Sequence, residues 1–254
     1  MLPSSINGDG SASNRQHYSC LLVDGRVTID AGSLAGSINE EERFAIRDIV
    51  LTHAHLDHIA GLPLFIDDLF SVLTEPIRVH ARREVIDILE EHIFNWQVYP
   101  RFSELTNQHG KVIEYVVIEP ERELSIGNLS FRALTVNHKV PSLGFVVSDS
   151  NSTFAITGDT AEMDGFWKTV NALEKLDCLF VECAFPDDFE ELAAISHHLT
   201  PNGLAKELMK FRHSDCPIQV VNIKPSYRDA VVRQLSDLNI AKLEVFEIGM
   251  DYEI

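Results

Sequence analysis

The chain has 254 residues, 45% of them hydrophobic, which is enough for one sizeable domain with a large core and does not fit a disordered chain. With 39 acidic against 21 basic residues the formal net charge is −18. That balance argues against nucleic acid as the main partner, because such binding is driven largely by phosphate neutralisation, but it leaves a small nucleotide open.

Residues 1–16 are polar and Gly/Ser-rich and are expected to be flexible. Tyr18–Val23 and Arg26–Asp30 read as strands joined across Asp24-Gly25, a strong hairpin signal. Asn39 is placed to cap a short charged helix through Phe44. Asp48-Ile49-Val50-Leu51 then reads as a buried strand, and Ile59 opens an apolar helix through roughly Phe70.

Between them lies Thr52-His53-Ala54-His55-Leu56-Asp57-His58, three imidazoles and a carboxylate within six residues. Desolvating such a cluster without a metal would be costly. In extended backbone His53 and His55 fall on the same side, so one ion can accept both, while Asp57 and His58 point elsewhere and suit a second.

Ile77–His80 reads as a strand and Arg82–Asn95 as a helix. The aromatic run Phe94–Phe102 follows; core packing is the commoner role for such residues, ahead of a purine stack or a dimer contact. Strands over Val112–Ile118 and Leu129–Val136 lead to Asn137-His138-Lys139, and another covers Val140–Val147. Ser152–Ile156 ends in Thr157-Gly158-Asp159-Thr160, presenting Asp159 at a strand end. A helix over Ala161–Ala172, a strand over Leu176–Val181 ending in Glu182, and a helix from Ser196-His197-His198-Leu199-Thr200-Pro201 to about Phe211 follow. Ile218–Val221 is a strand running into Asn222-Ile223-Lys224-Pro225, Asp229–Leu238 a helix and Leu243–Phe246 a final strand.

Cys20, Cys178, Cys183 and Cys216 show no CxxC pair and no disulfide framework, and no apolar run approaches a membrane span. A reducing, cytoplasmic setting without membrane association is expected.

His53-x-His55-x-Asp57-His58 resembles the dinuclear-metal motif of the metallo-β-lactamase-fold hydrolases. Its longer form, His53-x-His55-Leu56-Asp57-His58-Ile59-x-Gly61-Leu62, is similar to that of the class II cyclic-nucleotide phosphodiesterases. The likeness extends to Asn95-x-x-x-Tyr99-Pro100-x-Phe102, His138-x-Val140-Pro141-Ser142-Leu143-Gly144-Phe145, Gly158-Asp159-Thr160 and His198-Leu199-Thr200-Pro201. It departs at Arg101, where that family typically has Asp, and at Asn222, where it often has the histidine of His-Ile-Lys-Pro.

The resemblance implies an α/β fold, a four-layer αβ/βα sandwich of two mixed β-sheets formed as a single domain over residues 1–254. It further implies two divalent ions, zinc foremost with manganese or iron permitted. His53, His55 and His138 would hold one ion, Asp57, His58 and His198 the other, with Asp159 bridging and Asp30 orienting a ligand from beneath. The implied substrate is a 3′,5′-cyclic nucleotide, cyclic AMP or cyclic GMP, opened to the 5′-monophosphate by a metal-bridging hydroxide. Asp57, His197 and Glu182 stand as proton carriers, and Lys139 and Lys224 as phosphate contacts. A homodimer is the default assembly. The alternatives are a tRNA 3′-processing endonuclease, against which the acidic charge and the lack of a basic arm weigh, and a non-catalytic metal- or nucleotide-binding module, which would be expected to have lost ligands.

Overall fold

The computed structural model describes residues 18–254, so the expectation for residues 1–16 lies outside the described residues. The first strands, β1 (Leu21–Val23) and β2 (Val27–Ile29), pair antiparallel. Asp24 and Gly25 between them both take left-handed backbone, φ +52° and +66°, which glycine adopts freely and Asp tolerates. The strands β3 (Asp48–Val50), β4 (Ile77–Ala81) and β7 (Ile113–Val117) continue in parallel from β2, giving a sheet of order β1-β2-β3-β4-β7. The short strands β5 (Thr106–Asn107) and β6 (Gly110–Lys111) form a separate small hairpin.

The second sheet is built from β8 (Glu123–Ile126), β9 (Leu129–Thr135), β10 (Leu143–Ser148), β11 (Thr153–Ile156), β12 (Cys178–Glu182), β13 (Ile218–Val221) and β14 (Leu243–Val245). Its order is β14-β13-β12-β11-β10-β9-β8, antiparallel from β8 to β11 and parallel from β11 to β14. Both sheets are therefore mixed.

Strand alternation divides the core into layers. Val27, Ile29 and Val50 of the first sheet meet Phe131, Phe145, Val147 and Phe180 of the second in one cluster between the sheets. Ile49, Leu51, Ile77 and Val79 face the other way, onto the helices Leu62–Leu69 and Arg83–Ile88. On the far side, Leu179, Val181 and Val220 face the helices Gly165–Val170, Pro201–Leu208 and Arg228–Asp237. This is the expected four-layer αβ/βα sandwich. Among the described residues no helix is long and apolar enough to cross a membrane.

Some elements differ from expectation, for identifiable reasons. The helix expected over 82–95 is α-helical only at Arg83–Ile88 and widens to a π turn at Leu89–Ile93, closed by Phe94 N donating to Leu89 O at 2.7 Å. Arg101 ends it, its guanidinium donating to the carbonyls of Phe94 and Glu90, so the residue that departs from the family pattern has a structural task. The helix expected from Ile59 begins at Leu62, because Leu56–Ile59 makes its own separate turn that carries Asp57 and His58. Those two residues therefore leave a helical turn and not an extended loop. The helix after Thr160 is confined to Gly165–Val170, and the strand Glu123–Ile126 and the helix Glu190–Ser196 were not anticipated. The latter leaves Leu192 and Ile195 exposed, so it lacks a clean apolar stripe.

Candidate metal centre

The ends of β2, β3, β9, β11, β12 and β13 lie along one edge of the sandwich, where Leu143 N donates to Thr52 O across the two sheets at 3.0 Å. Asp30 leaves β2 in left-handed backbone, φ +61°, and is 1% exposed. Its Oδ1 accepts from Thr52 N at 2.8 Å and Thr52 Oγ1 at 2.9 Å, and its Oδ2 accepts from His58 Nδ1 at 2.6 Å. With Nδ1 held by Asp30, His58 turns Nε2 towards Asp159 Oδ2 at 3.4 Å. Burial alone would push the His58 pKa down, but Asp159 and Asp30 raise it well above the ordinary value.

His53 is completely buried, with Thr52 Oγ1 3.0 Å from its Nδ1 and Asp159 Oδ2 3.8 Å from its Nε2. Burial, joined by His58, holds its pKa well below the ordinary value, leaving a neutral imidazole. His138 donates from Nδ1 to the carbonyl of His197 at 2.9 Å, which turns its Nε2 to within 3.2 Å of His55 Nδ1. Burial foremost, with His198 and His55 beside it, depresses the His138 pKa to about 4.

Asp159 is delivered by Gly158, whose φ is +60° and where a Cβ would stand 3.0 Å from Leu143 O and 3.2 Å from Thr52 Cγ2. Only glycine fits that turn without strain. The Asp159 carboxylate is 1% exposed; burial would raise its pKa, but His58, His53 and His198 hold it well below the usual carboxylate range.

The donor atoms of His53, His55, His138 and Asp159 all lie within 4.8 Å of one another. The Nε2 atoms of His53 and His58 are buried without a hydrogen-bond partner. An orphaned buried polar atom ordinarily costs about 1–3 kcal/mol. Buried imidazole nitrogens converging on an ionised carboxylate are what a divalent cation requires, the cation taking the place of the proton on His58, so these residues fit a metal site.

The remaining expected residues are distributed around that group. Asp57 Oδ2 accepts from Lys224 Nζ at 2.8 Å. His198 stands outside the four-donor group; its Nδ1 donates to Glu182 Oε1 at 2.9 Å and lies 3.9 Å from Asp159 Oδ2. Burial lowers the His198 pKa, but Glu182 and Asp159 more than restore it, so it is raised overall. Glu182 is wholly buried at the end of β12 and also accepts from Thr160 N at 2.9 Å. His197 takes left-handed backbone, φ +57°, and its ring meets Asn137 Oδ1 at 3.1 Å. Lys139 is exposed on the loop after His138.

Three residues that sequence reasoning passed over belong here. Thr52 pins Asp30, Asn137 holds the His197 ring, and Asn222, whose φ is +63°, donates from its amide to Asp159 Oδ1. Asn222 did carry a signal, standing where the similar family has a histidine. Thr52 directly precedes the histidine motif, but nothing in its type marks it.

Residues 26–215 match the beta-lactamase superfamily domain, and the chain belongs to that family. It is 28% identical over 210 residues to a probable 3′,5′-cyclic-nucleotide phosphodiesterase of Yersinia pestis, covering 73% of this chain and 59% of that protein. It is 28% identical over 212 residues to a 3′,5′-cyclic-nucleotide phosphodiesterase of Schizosaccharomyces pombe, covering 75% of this chain and 58% of that protein. The chain thus spans less than two thirds of the length of these relatives. Its fold is shared with unliganded yeast PDE1, at a TM-score of 0.68 and 20% identity over 84% of this chain and 72% of the other.

Proposed function

We propose that the protein is a metal-dependent phosphodiesterase that opens 3′,5′-cyclic AMP or cyclic GMP to the 5′-monophosphate. Chiefly supporting this is the convergence of the buried, unpartnered nitrogens of His53 and His58 on the Asp159 carboxylate, in a chain whose relatives are named cyclic-nucleotide phosphodiesterases. The nitrogen and oxygen donors suit zinc and admit manganese or iron. His53, His55, His138 and Asp159 would hold one ion, and Asp57 and His58 with Asp159 a second; His198, expected as a ligand of the second ion, is assigned a proton-carrying task instead. When bound, such ions supply Lewis-acid stabilisation of charge on the phosphoryl oxygens and activation of water for in-line displacement at phosphorus.

The chain's own residues hold this arrangement in place and move the proton. Asp30 and Thr52 fix the His58 ring, and the His197 carbonyl fixes His138. Lys224, paired with Asp57, sets a positive charge beside the donors that would meet a phosphoryl oxygen. The leaving 3′-oxygen needs a proton, and we assign its delivery to His198. The imidazole is held at Nδ1, 3.9 Å from Asp159 Oδ2, by Glu182. Glu182 has no exposed surface and acts by holding His198; Asp57 is committed to Lys224 and the His197 ring to Asn137. Of the expected proton carriers, these three therefore take supporting roles.

The test is turnover of cyclic AMP and cyclic GMP by protein loaded with zinc or manganese. A generic phosphodiester and a tRNA precursor run in parallel, with Asp159→Ala as control. Formation of 5′-AMP or 5′-GMP that the variant lacks supports the reading. Cleavage of the generic diester or the tRNA precursor with inert cyclic nucleotides would overturn the substrate while keeping the metal chemistry.

A further inference from the structure

The loop that follows Asp159 is gripped from a helix that carries none of the candidate metal ligands. Glu207 lies in the last turn of the helix Pro201–Leu208 and is 1% exposed. Its Oε2 accepts from Trp167 Nε1 at 2.6 Å and from Met163 N at 3.1 Å, and its Oε1 accepts from Lys210 Nζ at 2.7 Å. The same ammonium donates to Met163 O at 2.9 Å, so one ion pair holds both polar groups of the Met163 backbone. A buried carboxylate paired with a partly exposed ammonium adds little net stability, because desolvation offsets the attraction. What the pair does is fix a stretch of backbone.

That backbone leads to the His138 ring. Glu162 O, one residue before Met163, accepts from Asn137 Nδ2 at 2.7 Å. The Asn137 main chain is bound to the same loop, its N donating to Thr160 Oγ1 at 3.1 Å and its O accepting from Ala161 N at 2.7 Å. With its amide nitrogen committed to Glu162, Asn137 presents Oδ1 to His197 Nδ1 at 3.1 Å. His197, in left-handed backbone, supplies the carbonyl to which His138 Nδ1 donates at 2.9 Å. The His138 imidazole is therefore fixed twice through the 160–163 loop, once by its chain neighbour Asn137 and once by way of His197.

We propose that Glu207, with Lys210, is a positioning residue for the metal centre: by holding Met163 it sets the 160–163 loop, and through Asn137 and His197 that loop aims the His138 imidazole at the group formed with His53, His55 and Asp159. This rests on the metal reading above and extends it to a buried carboxylate that hydrogen-bonds to none of the donors. Loss of Glu207 leaves Met163 N and Trp167 Nε1 without this acceptor and frees the loop to shift. The His138 ring then no longer meets the other donors in one geometry, which weakens the site without removing a ligand.

The test uses the whole chain, stripped with a chelator. Affinity for Zn²⁺ is read by competition with an indicator, Co²⁺ binding by visible absorption, and stability of the stripped protein by urea unfolding. Glu207→Leu is expected to weaken Zn²⁺ binding about 10-fold and to alter the Co²⁺ spectrum, the scale on which residues behind a ligand act. Glu207→Gln keeps an oxygen for Met163 N and Trp167 Nε1 and is expected to recover most of that affinity. Lys210→Met releases Met163 O from a partly exposed position, folds even if Glu207→Leu does not, and is expected to show part of the loss. Trp167→Phe removes one donor to Glu207 but spares the bond to Met163, so it should lower stability and leave metal affinity unchanged. The deciding comparison is with Asn137→Ala. Added to that variant, Glu207→Leu or Lys210→Met should weaken binding little further, although no hydrogen bond joins either residue to Asn137. Losses that multiply independently, wild-type affinity in both Glu207→Leu and Lys210→Met, or an equal loss in Trp167→Phe overturns the proposal. Absence of any bound metal in the wild type removes the metal reading and this proposal with it. Coupled losses in a protein that does not turn over cyclic nucleotides support this proposal and remove only the substrate reading.

Discussion

Asp30→Ala and Asp30→Asn separate two tasks of one carboxylate. Asp30 is 1% exposed and accepts from Thr52 N at 2.8 Å, Thr52 Oγ1 at 2.9 Å and His58 Nδ1 at 2.6 Å. Alanine leaves these buried donors unpaired and removes the charge that faces His58. Breaking a buried pair of this kind costs about 3–5 kcal/mol. In a domain of this size that lowers Tm by roughly 6–20 °C. Asparagine keeps the volume and leaves one oxygen for Thr52, but sets an NH₂ against His58 Nδ1. The imidazole must then move its proton to Nε2 or rotate, and in either case the lone pair aimed at Asp159 is lost. The asparagine variant is expected to lose about 10–100-fold in affinity for the ion that His58 holds, equal to about 1.4–2.8 kcal/mol. Its Tm in chelator should fall much less than that of the alanine variant. Calorimetry in chelator and competition against a zinc indicator measure the two effects separately. An Asp30→Asn protein that binds metal as the wild type does would refute the reasoning.

Glu182→Gln keeps the shape of the contact to His198 but removes the charge that raises its pKa. If His198 must be protonated to act, the alkaline limb of the kcat profile moves to lower pH, and an unmoved limb would argue against the assignment. Gly158→Ala forces a Cβ into a φ +60° turn 3.0 Å from Leu143 O, with an expected loss of about 1–3 kcal/mol in urea unfolding. Asp48, bound by Arg78 and His80, has its carboxyl pushed down from 3.8 to about 2; burial opposes this but the hydrogen bonds and charges of those partners prevail. Because the folded pKa is depressed, its stabilisation is present above pH 3.8 and is lost as pH falls towards about 2. Acid titration of unfolding free energy should therefore be steeper over that window in the wild type than in Asp48→Asn.

Much of the frame was legible because local rules applied. The Asp24-Gly25 turn, the Asn39 cap with its bond from Glu42 N, and the Thr200-Pro201 helix start all depend on residues within a few positions of one another. The histidine motif was legible for the same reason, since its density within six residues needs no tertiary information. The short strand Glu123–Ile126 escaped notice because four residues carry little periodicity. The π turn at Leu89–Ile93 escaped because its spacing is read as helix, and Arg101, which closes it, lies beyond the segment.

The sequence by itself determined the family, the layered α/β fold and most of the metal-ligating residue types, because each is written in short contiguous patterns. Only the tertiary structure decided how those residues divide their work. It set His198 against Glu182, turned the His197 ring to Asn137, and brought Lys224 to Asp57 across 167 positions and Asn222 to Asp159 across 63. Such contacts arise where strand ends from two sheets meet at one edge. No periodicity along the chain encodes which side chain will find which partner there.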